Sequence, residues 1–129
     1  MKLRELLAAS TLPGVVGAAA LLATGAEAHH SAAMFDKSKT VTLAGTVKEL
    51  QWTSPHCWIQ LMAPGDAGLS EWSIEMGAPF ELLRNGIRQS SLKPGDKVTV
   101  VINPTRSGSK GGLFVSAVDS AGQPIGSGH

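Results

Sequence analysis

Tyrosine is absent from this chain of 129 residues, and the other aromatics are few, with three Trp and three Phe. A core built from it must come mainly from Val, Leu, Ile and Ala. Cysteine occurs once, as Cys57. A lone thiol closes no intramolecular disulfide, so stability has to come from packing. Neither sign of charge dominates: Lys and Arg number 11, Asp and Glu 10. Near-neutrality leaves no basic footprint of the kind that displaces counterions from nucleic acid. It leaves no polybasic patch for an anionic membrane. The chain has no Gly-x-Ser-x-Gly elbow and no C-x-x-C pair with zinc spacing. Its length corresponds to one domain.

The first 28 residues have the composition of a secretory signal. Lys2 and Arg4 open it, an apolar stretch follows over residues 6–23, and Ala26-Glu27-Ala28 supplies the small-x-small form that a signal peptidase needs. The apolar stretch is rich in Ala and Gly, is broken by Pro13 and Gly14, and lacks the charged stop of a spanning helix. No Cys follows it for lipid attachment, and no Arg-Arg pair precedes it. The expectation is export to the periplasm or beyond, with no membrane insertion after cleavage. Removal of Lys2, Arg4, Glu5 and Glu27 with the signal leaves nine basic and eight acidic residues. The mature chain would begin His29-His30-Ser31, placing a free α-amine beside an imidazole.

Residues 29–40 show no period and read as an extended arm. Residues 41–47 alternate apolar and small polar side chains, the period of a strand. Gly45 and a change of phase to Leu50 and Trp52 predict a bulge that bends a long first strand. Thr53-Ser54-Pro55 is a turn. A second strand over residues 56–62 places Cys57, Ile59 and Leu61 on one face and His56, Trp58, Gln60 and Met62 on the other. Residues 64–68 form a hairpin loop. A third strand, 70–76, sets Trp72, Ile74 and Met76 against Glu71, Ser73 and Glu75. Residues 77–86 read as one short helix, with Pro79 in its first turn, a stripe of Phe80, Leu83 and Ile87, and a stop at Asn85-Gly86. A Pro94-Gly95 turn leads into a fourth strand over 97–102. Residues 107–112 read as a flexible hairpin tip, and 113–118 as the last strand. The tail, 120–129, is rich in Gly and Ser and reads as flexible.

The order β, β, β, α, β, β is that of a five-stranded OB-type Greek-key barrel, with one short helix between the third and fourth strands and the domain over residues 41–119. Another small Greek-key or SH3-like barrel is the alternative. A sandwich needs more strands.

Several strings together resemble a known family. They are Ala28-His29-His30-Ser31, Met34-Phe35-Asp36, Gly45-Thr46-Val47-Lys48-Glu49, Trp52-Thr53-Ser54-Pro55-His56-x-Trp58-Ile59, Glu71-Trp72-Ser73 and Leu92-Lys93-Pro94-Gly95-Asp96-Lys97-Val98. The chain resembles the short secreted bacterial proteins classed as domain of unknown function 6152, over nearly the whole mature part. The resemblance implies an exported, small, β-rich protein and no activity. Cys57 departs from the family's usual small or apolar residue.

The residues that can carry chemistry form two sets. The first is metal-ligating: His29, His30 and His56. An N-terminal His offers its α-amine and ring nitrogen together, and a second imidazole completes a three-nitrogen site suited to copper first and zinc second. Met34 and Met62 are softer donors, and Cys57 suits Cu(I). Against this, His56 can simply bond a loop carbonyl, and Cys57 reads as a buried small hydrophobe. The second set follows from the fold. OB barrels bind ligands on strands two and three and their flanking loops, which gathers Trp52, Ser54, His56, Trp58, Gln60, Glu75 and the tip with Lys110. Trp58 among polar neighbours offers a platform for a sugar, a small aromatic or a peptide, or else it covers one end of the barrel.

Lys110 in a Gly-Ser-Lys-Gly-Gly string is not a phosphate loop, because the glycines lie between two strands and no Ser or Thr follows the Lys. Catalysis is not expected. His56 and Cys57 point to opposite faces, and Glu71 and Glu75 stand roughly 13 Å apart along one strand, too far for a retaining glycosidase pair. Three functions stay open: a binding module for a small molecule, glycan or envelope protein, a copper-binding protein, and an accessory subunit docking to an envelope complex.

Overall fold

The structure is a computed structural model that describes residues 32–126. The period-two segments become five strands: β1 (Val41–Gln51), β2 (Trp58–Gly65), β3 (Gly68–Glu75), β4 (Lys97–Pro104) and β5 (Gly111–Asp119). A single short α-helix, α1 (Pro79–Arg84), and a 3-10 turn (Gln89–Ser91) join β3 to β4. The strands close a barrel in the order β1-β2-β3-β5-β4. Every pairing is antiparallel except β3 with β5. This is the strand order of an OB barrel, as the element order predicts.

β1 closes the barrel by serving two partners. Residues 41–46 pair with β4 and residues 46–51 with β2. The expected bulge lies between Val47 and Glu49, where the extra residue bends the strand from one partner toward the other. Gly45 sits where the sheet folds over itself: a Cβ there would run into the carbonyl of Met62.

Alternation then decides what is inside. Leu43 and Val47 of β1, Ile59, Leu61 and Ala63 of β2, Ile74 of β3, and Val98, Val100 and Ile102 of β4 are buried in one cluster. Ala117 of β5, Leu82, Ile87 and Leu92 from the β3–β4 connection, and Cys57 and Met76 beside the strand ends complete it.

Three expectations are corrected. The helical stripe of Phe80, Leu83 and Ile87 does not face the core: Phe80 and Leu83 are 61% and 55% exposed, while Leu82 is buried. The helix has only six residues, so it ends before a 3.6-residue stripe can reach Ile87. Ile87 arrives in the core by the turn after the helix, where Gly86 has φ 75° and the Ile87 amide donates to the Leu82 carbonyl.

Second, β2 begins at Trp58, so His56 belongs to the preceding loop. Third, Gly111 and Gly112 are not part of the hairpin tip but the buried start of β5. A Cβ on Gly112 would meet the Asn103 carbonyl at 2.6 Å, so strand closure at this point requires glycine.

The arm and tail both make defined contacts. Phe35 is buried and bridges to Thr105. The Asp36 amide donates to the Pro104 carbonyl at 2.8 Å, and the Arg106 amide to the Met34 carbonyl at 2.8 Å. Beyond β5, the Ile125 amide donates to the Ala117 carbonyl at 2.9 Å, and Ile125 packs on the core. Among the described residues no helix is long and apolar enough to cross a membrane.

Candidate functional site

The outer surface of β2 and β3 is built in rows by their register. Gln51, Trp58, Glu75 and Leu113 lie side by side across β1, β2, β3 and β5. Glu49, Gln60, Ser73 and Gly111 form the next row. In that second row Gln60 Nε2 donates to Ser73 Oγ at 3.0 Å and to Gln51 Oε1 at 3.3 Å. A third row carries Met62 opposite Glu71, and Lys48 Nζ meets the Glu71 carboxylate at 3.0 Å. The face is therefore polar and internally bonded, with its large apolar element, Trp58, at one end.

At that end the β1–β2 loop, the end of β3, the start of β5 and the arm enclose a cleft of about 170 Å³. Ala32 and Phe35 come from the arm, His56 from the loop, Glu75 from β3, and Leu113 and Phe114 from β5. Glu75 is buried at 4% exposure although it lies on the outer face. Trp58 and Leu113, its neighbours in the row, flank it on both sides. His56 is held over it. Thr53 Oγ1 donates to the His56 carbonyl at 2.7 Å, His56 Nδ1 lies 3.1 Å from the Met76 carbonyl, and His56 Nε2 lies 3.5 Å from Glu75 Oε1.

The sequence-predicted residues are thus only partly gathered. His56 and Trp58 sit at the cleft end, and Gln60 is one row away. Trp52 turns inward and packs on the core, and Ser54 is exposed in the loop. Lys110 is elsewhere: its Nζ donates to Ser70 Oγ at 2.7 Å, five residues back along β3 from Glu75. His29 and His30 lie outside the described residues.

Met34 is exposed. Cys57 is fully buried on the core side, with Sγ 3.6 Å from the Thr53 carbonyl, and burial pushes its thiol pKa up. Among the described residues no group of three or more His, Cys, Asp or Glu side chains comes together.

Sequence reasoning placed Glu75 on the ligand surface without foreseeing its burial, and did not include Phe35 or Phe114. A lone aromatic in a polar arm was the one signal available for Phe35. A larger groove of about 680 Å³ runs between α1, the middle of β5 and the turn at Ile125. It holds none of the predicted site residues, though Gly77 and Phe114 border both it and the cleft.

No curated protein and no solved structure matches the chain. A family model does match, over residues 18–115, and the chain belongs to the family described as a family of unknown function, DUF6152.

Proposed function

We propose that this protein is an exported binding module whose ligand site is the cleft at the end of the β2–β3 face. One observation carries the reading: four separate segments converge there around a buried carboxylate. His56 Nε2 lies 3.5 Å from that carboxylate, and the fold holds both at a surface opening. The location agrees with the general use of OB barrels, which bind on strands two and three and the adjoining loops. Catalysis has less support. Cys57 Sγ faces a backbone carbonyl, and the His56 ring is engaged by Met76 and Glu75, so among the described residues these two do not form a nucleophile–base pair.

Export rests on the character of residues 1–28, and its test is the intact mass of the chain recovered from the periplasm of a host expressing all 129 residues. The expected first residue is His29. Binding is tested on that same processed protein by amide exchange, with the low-molecular-weight fraction of the envelope extract as probe. Slowed exchange confined to residues 54–60, 73–77 and 111–114 is the expected result. Slowing on another surface, or none at all, overturns the assignment.

A further inference from the structure

We propose that the groove between α1 and β5 receives one extended segment of a larger partner polypeptide, apolar with an acidic side chain, which adds as a short strand to the outer edge of β5. The groove shares only Gly77 and Phe114 with the cleft among its lining residues, and the inference goes beyond the cleft reading without depending on it. It starts from the way the barrel closes. β3 pairs with β5 only from Ser73 opposite Gly111 to Glu75 opposite Leu113. β5 then runs on to Asp119, with β4 along its other edge. Past Leu113 the outer edge of β5 has therefore lost its strand partner. Full closure is what removes edges from a barrel, and an edge left open presents backbone donors and acceptors to which a further strand can bond.

The chain itself shows what this edge accepts. The Asp119 amide donates to the Gln123 carbonyl at 2.9 Å, and the Ile125 amide to the Ala117 carbonyl at 2.9 Å. Val118 and Pro124 form an antiparallel bridge between them. An extended stretch of the tail thus lies along residues 117–119. Phe114, Val115 and Ser116 are left without a strand or loop backbone beside that edge among the described residues. Val115 and Ser116 are exposed. Val115 has no register partner on β4 either, because the ladder shifts there, and the extra residue of a bulge is left unpaired.

The shape of the groove limits the occupant to one strand. Glu81, Leu82, Arg84 and Asn85 of the helical segment form the wall facing β5. The tail closes one end, where a Cβ on Gly126 would meet the Asn85 carbonyl at 2.8 Å. A second copy of the barrel would bring a whole sheet against α1 before its edge reached β5. Residues 114–118 span about 13 Å at strand rise, the length of a four- or five-residue segment. Its alternate side chains would enter a lining made apolar by Leu82, Phe114 and Ile125. The charges of the groove are unequal. The Glu81 carboxylate accepts from the Ala78 amide at 2.8 Å, whereas Arg84 is exposed and takes part in no ion pair among the described residues. An acidic side chain on the incoming segment complements it.

The experiment uses capped peptides of alternating valine and threonine, about six residues long, with a terminal glutamate in one and a lysine in the other. Each is titrated to about 1 mM into the nitrogen-labelled protein recovered from the periplasm. The glutamate peptide should give saturable amide shifts and slowed exchange confined to residues 81–87 and 115–118. Methylating every second peptide nitrogen should weaken binding by about tenfold or more in one phase and leave it nearly unchanged in the other, because a strand turns only alternate amides to the edge. The lysine peptide should bind about two- to fivefold more weakly, and Arg84→Glu, at an exposed helix position, should reverse that order. No shift at about 1 mM overturns the proposal. So does equal weakening by both methylation phases, which would reduce the contact to a side-chain patch. Shifts at residues 54–58 in place of the groove, or a dimer that slows exchange at 115–118 without peptide, would give the surface another occupant and overturn it as well. A preference for glutamate that survives Arg84→Glu refutes the acidic partner. The probes and the reporting amides differ from those of the cleft test, so either reading can fail alone.

Discussion

The backbone amide of Arg106 donates to the carbonyl of Met34 at 2.8 Å, and the same arginine's Nε donates to the carbonyl of Ala33 at 3.2 Å. These bonds fasten the arm to the β4–β5 connection, and Phe35 anchors it by burying its ring beside Thr105. Loss of the ring should free the arm. Phe35→Ala is expected to cost about 3 kcal/mol, the lower end for a buried Phe because the arm can detach rather than leave a cavity. Phe35→Leu should cost under about 1.5 kcal/mol. Urea denaturation measures the loss, and amide exchange locates it. If Asp36 and Arg106 stay protected in Phe35→Ala, the ring is not the anchor.

Asp36 gives the arm a pH dependence. Its carboxyl lies below the ordinary 3.8, chiefly because the Ser38 hydroxyl and then the Ser38 amide donate to it, with Arg106 and Lys39 adding attraction. A carboxyl that ionises more readily in the folded chain than in the unfolded one stabilises the folded arm above the ordinary value, and that contribution is lost as pH falls through the depressed one. Ser38→Ala removes the hydroxyl donor, so the Asp36 carboxyl should titrate closer to 3.8. Carbon NMR of the carboxyl reads this directly. A titration curve unmoved by Ser38→Ala would mean that the charges, not the hydrogen bond, set the value.

The barrel was legible because its information is local. Alternation over residues 41–47 and 97–102, and the Cys57, Ile59, Leu61 face, each put one side of a strand in the core, and period two survives any tertiary context that keeps the strand. The helix was misread because a stripe of 3.6 spacing has meaning only over several turns, and α1 has six residues.

The cleft was half legible. His56 stood out by residue type. Burial of Glu75 depends on which side chains flank it in the register, Trp58 from β2 and Leu113 from β5, and no pattern within β3 carries that. Docking of the arm rests largely on backbone bonds between residues about 70 apart in sequence, such as the Asp36 amide to the Pro104 carbonyl, and backbone bonds leave no periodic trace in the sequence.

Cys57 offers a check on the inward face of the β1–β2 loop. Its side chain is fully buried, and desolvation raises its pKa, so little thiolate forms near neutrality and little of it is accessible. Reaction with an aromatic disulfide reagent at pH about 8 should be slower by a factor of about 100 or more in the native protein than in urea, because it must wait for opening of the structure. Cys57→Ala should cost about 1 kcal/mol, the loss of one small buried group. Fast native labelling would show that the loop opens readily and that the His56 carbonyl and its neighbours are not held as described.

Trp72 presents the opposite problem, a polar atom that the fold buries without satisfying. Its Nε1 has no hydrogen-bond partner among the described residues, although its ring packs on the core opposite Leu61 in the β2–β3 register. An unpaired buried donor costs about 1–3 kcal/mol, and the large ring offsets that by the apolar area it covers. Trp72→Phe gives up some area and removes the unsatisfied N–H, so the two changes oppose each other and stability should remain within about 1 kcal/mol of the parent. Trp72→Ala also removes the N–H but gives up the packing of the whole ring, and should lose about 3–5 kcal/mol. Thermal and urea unfolding of the pair decide the matter. If Trp72→Phe is as damaging as Trp72→Ala, the indole N–H has a partner in solution, and Trp72 is held by that bond and not by packing alone.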